Sequence, residues 1–282
     1  MELFSIPTGN FKLDGGAMFG VVPKSIWNKV YPSDDNNLIP LSMRCLLVVD
    51  GDRKILIDNG IGNKQDEKFF GHYYLNGDDS LEKSLAKLGL VPEDITDMFL
   101  THLHFDHAGG SIKRKPDGNG YETVFPKASY WISRPQWEWA TNANPREKAS
   151  FLKENILPIA ESGMLKLFDA PSELFPGFRA RIYNGHTQGQ AIPFIEFKGK
   201  QVVFMADIIP TSAHVPLPYI MSYDTQPLVS LHEKEEFLNE SVDKGFVLFF
   251  EHDVFNECCT LERTEKGIRV KRTARLEDIL KE

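Results

Sequence analysis

Short apolar runs of strand length outnumber helical patterns along this chain, and they alternate with stretches rich in turn formers. Residues 44–49 and 54–58 read as two strands joined by Asp50-Gly51-Asp52, a strong hairpin signal between apolar runs. Further strands are predicted over 95–100, 128–133, 178–183, 192–197, 201–205, 246–250 and 268–273. Helical spacing is sparser. Ser80 reads as the N-cap of a helix over 81–88, with Leu81, Leu85 and Leu88 on one face. Pro135 suits a first helical turn, a second helix is expected over 146–157 with Pro158 as its stop, and 234–244 is helical. Residues 1–40 read as loop-rich, punctuated by Gly15-Gly16, Pro23, Pro32 and Pro40, with the apolar insert 17–22 as a core plug, an edge strand or a pocket wall. Strands dominate both halves, no repeat or low-complexity linker divides them, and residues 1–282 are expected to form a single α+β domain.

Composition narrows the function. A net charge of -8 and a pI near 5.6 argue against a protein that grips phosphate backbones, so no nucleic-acid partner is expected. The one dense basic patch, Lys113-Arg114-Lys115, reads as a solvated loop. Three cysteines, Cys45, Cys258 and Cys259, do not make a disulfide framework. The start of the chain lacks a basic, apolar leader, and no apolar run reaches the roughly 20 residues of a membrane span, so a cytoplasmic protein without a membrane partner is expected.

The chemistry concentrates in Thr101-His-Leu-His-Phe-Asp-His-Ala-Gly-Gly110. His102, His104, Asp106 and His107 fall within six positions, where they repel or crowd one another unless their lone pairs converge on cations. Imidazole and carboxylate without thiolate favour zinc, with manganese, iron and cobalt as other occupants. Gly109 and Gly110 allow the backbone a close path beside the cluster. Three further residues stand at the exits of apolar strands, as His102 does: His186 after the run ending at Tyr183, Asp207 after Phe204-Met205-Ala206, and His252 after 246–250. Asp58, at the end of its own run, reads either as a turn former or as an anchor for a metal-bound imidazole. The aromatic stretch 69–74 reads as a local core or as a lid over an apolar substrate, with His72 outside the ligand set.

His102-x-His104-x-Asp106-His107, followed by a His, an Asp and a His, resembles the signature of the metallo-β-lactamase superfamily. That resemblance implies a four-layer αββα sandwich and two divalent ions. It would place His102, His104 and His186 on one metal and Asp106, His107 and His252 on the other, with Asp207 bridging. A bridging hydroxide would attack the substrate, with Asp106 and Asp207 as its catalytic carboxylates. His104 stands where the di-iron branch has Glu, and Asp207 where true β-lactamases usually carry Cys or Ser; both disfavour those activities. The segment 14–24, with 207–211, His214 and Tyr219, is similar to the YtnP-like quorum-quenching lactonases, related to acyl-homoserine lactonases and methyl parathion hydrolase. Homoserine lactonases carry a lactone-contacting Tyr three residues after the bridging Asp; here Pro210 stands there, leaving Tyr219, Tyr223 or a different substrate to account for the change. The expected activity is metal-dependent opening of a lactone or ester with an apolar portion, with Tyr219, Tyr223, His214 and Phe19 in contact with it. A phosphotriester or arylester hydrolase is the alternative, and a non-catalytic metal-binding module is the reading from a different class. A homodimer is compatible with the aromatic and Pro-rich segments.

Overall fold

The apolar runs fold as strands of two large sheets in a computed structural model that describes residues 1–169 and 172–281. The chain divides into two compact units, residues 1–10 with 43–170 and residues 11–42 with 171–282. In the first unit the strands are β1 (Glu2–Asp14), β2 (Leu38–Asp50), β3 (Arg53–Ile57), β4 (Asp97–Phe99), β5 (Ile112–Arg114), β6 (Tyr121–Thr123), β7 (Ser129–Ser133) and β8 (Leu165–Phe168), the ends of β1 and β2 belonging to the second unit. Their main sheet has the order β1-β2-β3-β4-β7-β8, and β5 and β6 pair separately. Asp50 pairs with Arg53 across the two-residue loop Gly51-Asp52, so the hairpin forms where the Asp-Gly signal lies. From β3 onward the main sheet is parallel and its strands are short, with β4 wholly buried.

The core of this unit takes Leu47 and Leu56 from the sheet, Leu81 and Leu85 from helix Leu81–Lys87, and Ile156 and Ile159 from helix Lys153–Glu161. Ser80 caps the first of these helices, its hydroxyl accepting from the Lys83 amide at 3.2 Å. The second runs through Pro158, where a stop was expected, and its predicted start near residue 146 is a series of turns. A proline in the second turn removes one i→i−4 bond, and burial of Ile156, Pro158 and Ile159 offsets that loss.

The second unit holds β9 (Ser172–Phe175), β10 (Phe178–Tyr183), β11 (Gln190–Phe197), β12 (Lys200–Phe204), β13 (Val247–Phe249), β14 (Cys258–Thr264) and β15 (Gly267–Ala274), in the order β15-β14-β13-β12-β11-β10-β9. Lys198 (φ 49°) and Gly199 (φ 79°) form the two-residue turn between β11 and β12, the positive-φ pair that a tight hairpin of this hand requires. Only β12 and β13 run parallel, and the helix Pro227–Lys244 makes the crossover between them. Pro227 opens that helix seven residues ahead of the expected start at 234, and Gly245 in left-handed backbone closes it. Phe237 from the helix meets Phe194 and Phe246 from the sheet side, with ring centroids 6.2 and 6.3 Å away.

Two expectations are corrected at the N-terminus and in the loop after the histidine cluster. Residues 2–14 form a long strand instead of loop, because β1 lies at the sheet edge, where Pro7 and Gly9 cost little ladder pairing. The insert 17–22 holds the end of helix Gly15–Phe19, with Met18 and Phe19 as core plugs. The stretch 113–121 is flanked by the β5–β6 pair, with Lys113 beside Glu122 at 3.4 Å.

In the first unit the backbone leaving β3 packs directly on the backbone after the histidine cluster. A Cβ at Gly109 would lie 2.2 Å from the Ile61 carbonyl oxygen, and one at Gly110 the same distance from that of Asn59. Gly110→Ala is therefore expected to destabilise the protein by about 1–3 kcal/mol in urea unfolding, as overpacking does. Gly71→Ala, with nothing within 4 Å and an ordinary helical backbone, is expected to change stability by less than about 1 kcal/mol or to raise it.

Candidate metal centre

Each of four expected ligands follows its strand at the same distance. His102, His186, Asp207 and His252 lie three residues beyond the last residues of β4, β10, β12 and β13, which are Phe99, Tyr183, Phe204 and Phe249. In the first unit the chain turns after His104 into the short helix Phe105–Ala108, which carries Asp106 and His107. All four side chains of the cluster are buried. His102 Nε2 faces His104 Nδ1 at 3.0 Å, the His102 and His107 rings lie 3.9 Å apart, and His107 Nε2 is 3.7 Å from Asp106 Oδ2.

The opposite edge of each ring is tied to oxygen. Thr101 Oγ1 donates to Asp58 Oδ2 at 2.6 Å, so it is an acceptor for His102 Nδ1 at 3.1 Å. Glu147 Oε1 accepts from His104 Nε2 at 2.9 Å and is itself fixed by Trp139 and Asn144 on its other oxygen. Asp58 Oδ2 accepts from His107 Nδ1 at 3.1 Å. With those protons placed, the neutral rings of His102 and His104 turn lone pairs toward each other at 3.0 Å. Such an arrangement demands a cation or a shared proton between them.

The second unit repeats the scheme around one carboxylate. Asp207 Oδ2 lies 3.1 Å from His186 Nε2, and Oδ1 lies 3.1 Å from His252 Nε2. Asp224 Oδ1 accepts from His186 Nδ1 at 2.9 Å, and the Ser42 carbonyl accepts from His252 Nδ1 at 2.8 Å. Burial opposes charge on His186, but Asp207 and Asp224 outweigh it and raise the pKa to about 10. A positive charge is therefore wanted at this point. The donor chemistry of both units fits divalent metal ions, with the bond at each ring's far edge fixing its tautomer.

Backbone strain marks the same places. Asp58 (φ 55°) and Ala206 (φ 40°) adopt left-handed backbone without being glycine, which costs about 1–2 kcal/mol each and persists only where packing over-determines it. The Asp58 anchor was one of two readings in the sequence. Glu147, Asp224, Thr101 and the Ser42 carbonyl were not foreseen; only Thr101, next to His102, carried a local signal.

The four residues expected at the substrate occupy different surroundings. Phe19 and His214 are fully buried and stacked, centroids 4.3 Å apart. His214 Nε2 donates to the Met18 carbonyl at 2.9 Å, its Nδ1 lies 2.7 Å from Thr211 Oγ1, and burial holds its pKa down to about 3. Tyr219 is half-buried and meets Phe19 edge-on at 6.0 Å, whereas Tyr223 is 42% exposed. In the first unit the aromatic stretch packs on the cluster's own Phe105, with Phe69 and Tyr73 at 5.3 and 4.6 Å, and His72 is exposed.

Residues 40–252 match the metallo-beta-lactamase superfamily, a span that contains every expected ligand. The chain belongs to this superfamily. It has the metallo-β-lactamase fold, mixed α and β. Among its relatives, an N-acyl homoserine lactonase of Bacillus cereus is 26% identical over 270 residues, covering 91% of this chain and 94% of the relative. The N-acyl homoserine lactonase AiiA of Bacillus thuringiensis subsp. kurstaki is 24% identical over 269 residues, with coverage of 91% and 94%. A probable metal-dependent hydrolase from Staphylococcus aureus superposes with a TM-score of 0.88 at 31% identity, covering 96% of this chain and 95% of that one. AidC, a dizinc quorum-quenching lactonase in complex with its product, superposes with a TM-score of 0.78 at 24% identity (coverage 97% and 95%), a likeness of fold alone. With such relatives this member of the superfamily is a metal-dependent hydrolase. Among the described residues no helix is long and apolar enough to cross a membrane.

The anchoring carboxylates carry a direct expectation. Asp224→Asn and Glu147→Gln should each weaken zinc binding by about 10–100-fold, measured by competition with a chromophoric chelator, while the fold by circular dichroism stays unchanged. Wild-type affinity in both variants would contradict their orienting role.

Proposed function

We propose that the chain is a dinuclear metal-dependent hydrolase that opens lactones or esters with an apolar portion, acyl-homoserine lactones being the leading class. In this reading residues 1–282 work as a single domain. His102, His104 and His186 would hold one ion and Asp106, His107 and His252 the other, with Asp207 as a ligand shared between them. Zinc suits the imidazole and carboxylate donors, with manganese, iron or cobalt as other occupants. The carrying observation is that five buried imidazoles, each tied to an oxygen at one ring nitrogen, turn the other nitrogen toward another imidazole or a carboxylate, whereas the core His214 spends both on a carbonyl and a hydroxyl. The lactonase names of the relatives support the substrate class.

Bound divalent ions would supply Lewis acidity, polarising a substrate oxygen and lowering the pKa of a coordinated water from 15.7 toward about 7. The chain's own residues do the rest. Asp58, Asp224, Glu147 and the Ser42 carbonyl orient the imidazoles, so that no side chain has to reorganise during the reaction. Asp106 is the carboxylate that steers the proton of the attacking water to the leaving oxygen. Tyr219 and Tyr223 contact the substrate in place of the lactonase Tyr, and Phe19 and His214 back Tyr219 from the interior. The neutral His214 adds no charge behind an apolar substrate.

Pro210 favours a second reading. It is buried where homoserine lactonases carry their lactone-contacting Tyr, and a phosphotriester or arylester hydrolase would not need that hydroxyl. One assay separates the two: zinc-loaded protein and His102→Ala are compared on a long-chain acyl-homoserine lactone and on an aryl phosphotriester. The leading reading expects rapid lactone opening that is lost in the variant and on chelation, and regained with zinc. Turnover of the phosphotriester alone would replace it with the second reading.

A further inference from the structure

Two adjacent residues on the helix Pro227–Lys244 commit their side chains to loop backbone on either side. Glu233 accepts from the Asn184 amide at 2.8 Å and from the Gly185 amide at 3.0 Å, the two residues before His186. Lys234, with no exposure at all, donates from Nζ to the Pro216 carbonyl at 3.0 Å and to the Tyr219 carbonyl at 2.9 Å. The same helix packs tightly on the first of these loops: a Cβ on Gly185 would come within 2.4 Å of the Ser230 backbone. Gln226 and Thr225, just ahead of it, bond to Gly185 and His186 through their amides.

A fully buried lysine is rare, and its desolvation is costly unless the bonds it makes are needed. Burial pulls the Lys234 pKa down to about 7, with Asp224 pulling the other way. Even the neutral amine keeps two N–H groups, one for each carbonyl, so the loop stays held in either state. What it holds is the segment 216–219. Tyr219 at its end meets Phe19, Phe19 stacks on His214, and His214 lies within electrostatic reach of Asp207 and His252.

We infer that Lys234 is a positioning residue for the substrate, fixing the 216–219 loop so that Tyr219 presents to the substrate, while its neighbour Glu233 fixes the His186 loop. The inference rests on the function proposed above. One helix thereby sets substrate affinity and ligand geometry through separate side chains. The Lys234 ammonium is spent on the Pro216 and Tyr219 carbonyls and not on an expected ligand, so its loss should act on KM and leave kcat and metal content in place.

The test is a double-mutant cycle of Lys234→Met and Tyr219→Ala in the full chain, with steady-state kinetics on a long-chain acyl-homoserine lactone and on a small aryl acetate, and zinc content by mass spectrometry. Lys234→Met is expected to raise KM for the acyl lactone about tenfold, with kcat, zinc content and acetate turnover within about twofold of wild type. The double variant should then have the KM of Tyr219→Ala alone, because both changes remove one interaction. Amides of residues 217–222 should exchange with solvent faster in Lys234→Met. Lys234→Gln, which keeps two donors on a shorter stem, should give an intermediate KM and guards against a Met variant that does not fold. Additive effects, an unchanged KM, or loss of zinc in the folded variant would overturn the inference. Wild-type protein that opens no lactone and no ester would instead overturn the proposed function, and the inference with it.

Discussion

Each histidine of the centre has one ring nitrogen committed to an oxygen, and that constraint organises the residues around it. A neutral imidazole has one donor and one acceptor, so fixing the donor decides where the lone pair points. Thr101, Glu147, Asp58, Asp224 and the Ser42 carbonyl make that decision for His102, His104, His107, His186 and His252. His104 is the exception in kind, held at Nε2 and turned inward by Nδ1, whereas the other four are held at Nδ1. Asp58 serves two rings, His107 directly and His102 through Thr101, and its left-handed backbone is what lets β3 deliver the carboxylate there.

These orientations are made stiff by backbone contacts that leave no room for side chains. Gly109 and Gly110 lie against the backbone of 59–61, and Lys64, itself buried, donates to the Gly109 carbonyl at 2.5 Å. In the second unit Gly185 lies against the start of the long helix, and Ala206 takes a strained conformation so that Asp207 follows β12 without a longer loop. Parallel β12 and β13 set Asp207 and His252 at equal offsets from neighbouring strand ends, which brings Asp207 Oδ1 to the His252 ring.

The candidate ligands stand out in the sequence because their signals are local. Four metal-binding side chains crowd six positions, and the other three each follow an apolar run by the same short step. Three of their anchors are legible only in three dimensions, since Asp224, Glu147 and the Ser42 carbonyl lie 38, 43 and 210 residues from the rings they hold. Strands with longer alternating or continuous apolar patterns were found, whereas β9 and β14 carry several charged or polar positions and β8 is only four residues long. The edge position of β1 and the burial that carries a helix through Pro158 are tertiary effects that override local propensity. Cys45, Cys258 and Cys259 are buried and unbridged, in keeping with a chain whose stability does not come from disulfides.

The proposed function requires that these side chains be oriented for a pair of divalent cations. Metal-stripped protein titrated with zinc, with bound metal and heat followed together, tests it most directly. The account predicts about two tightly bound ions per chain, with a proton released where metal replaces the charge on His186. Uptake of no zinc by folded protein, or of a single ion with no second site at higher concentration, would contradict it.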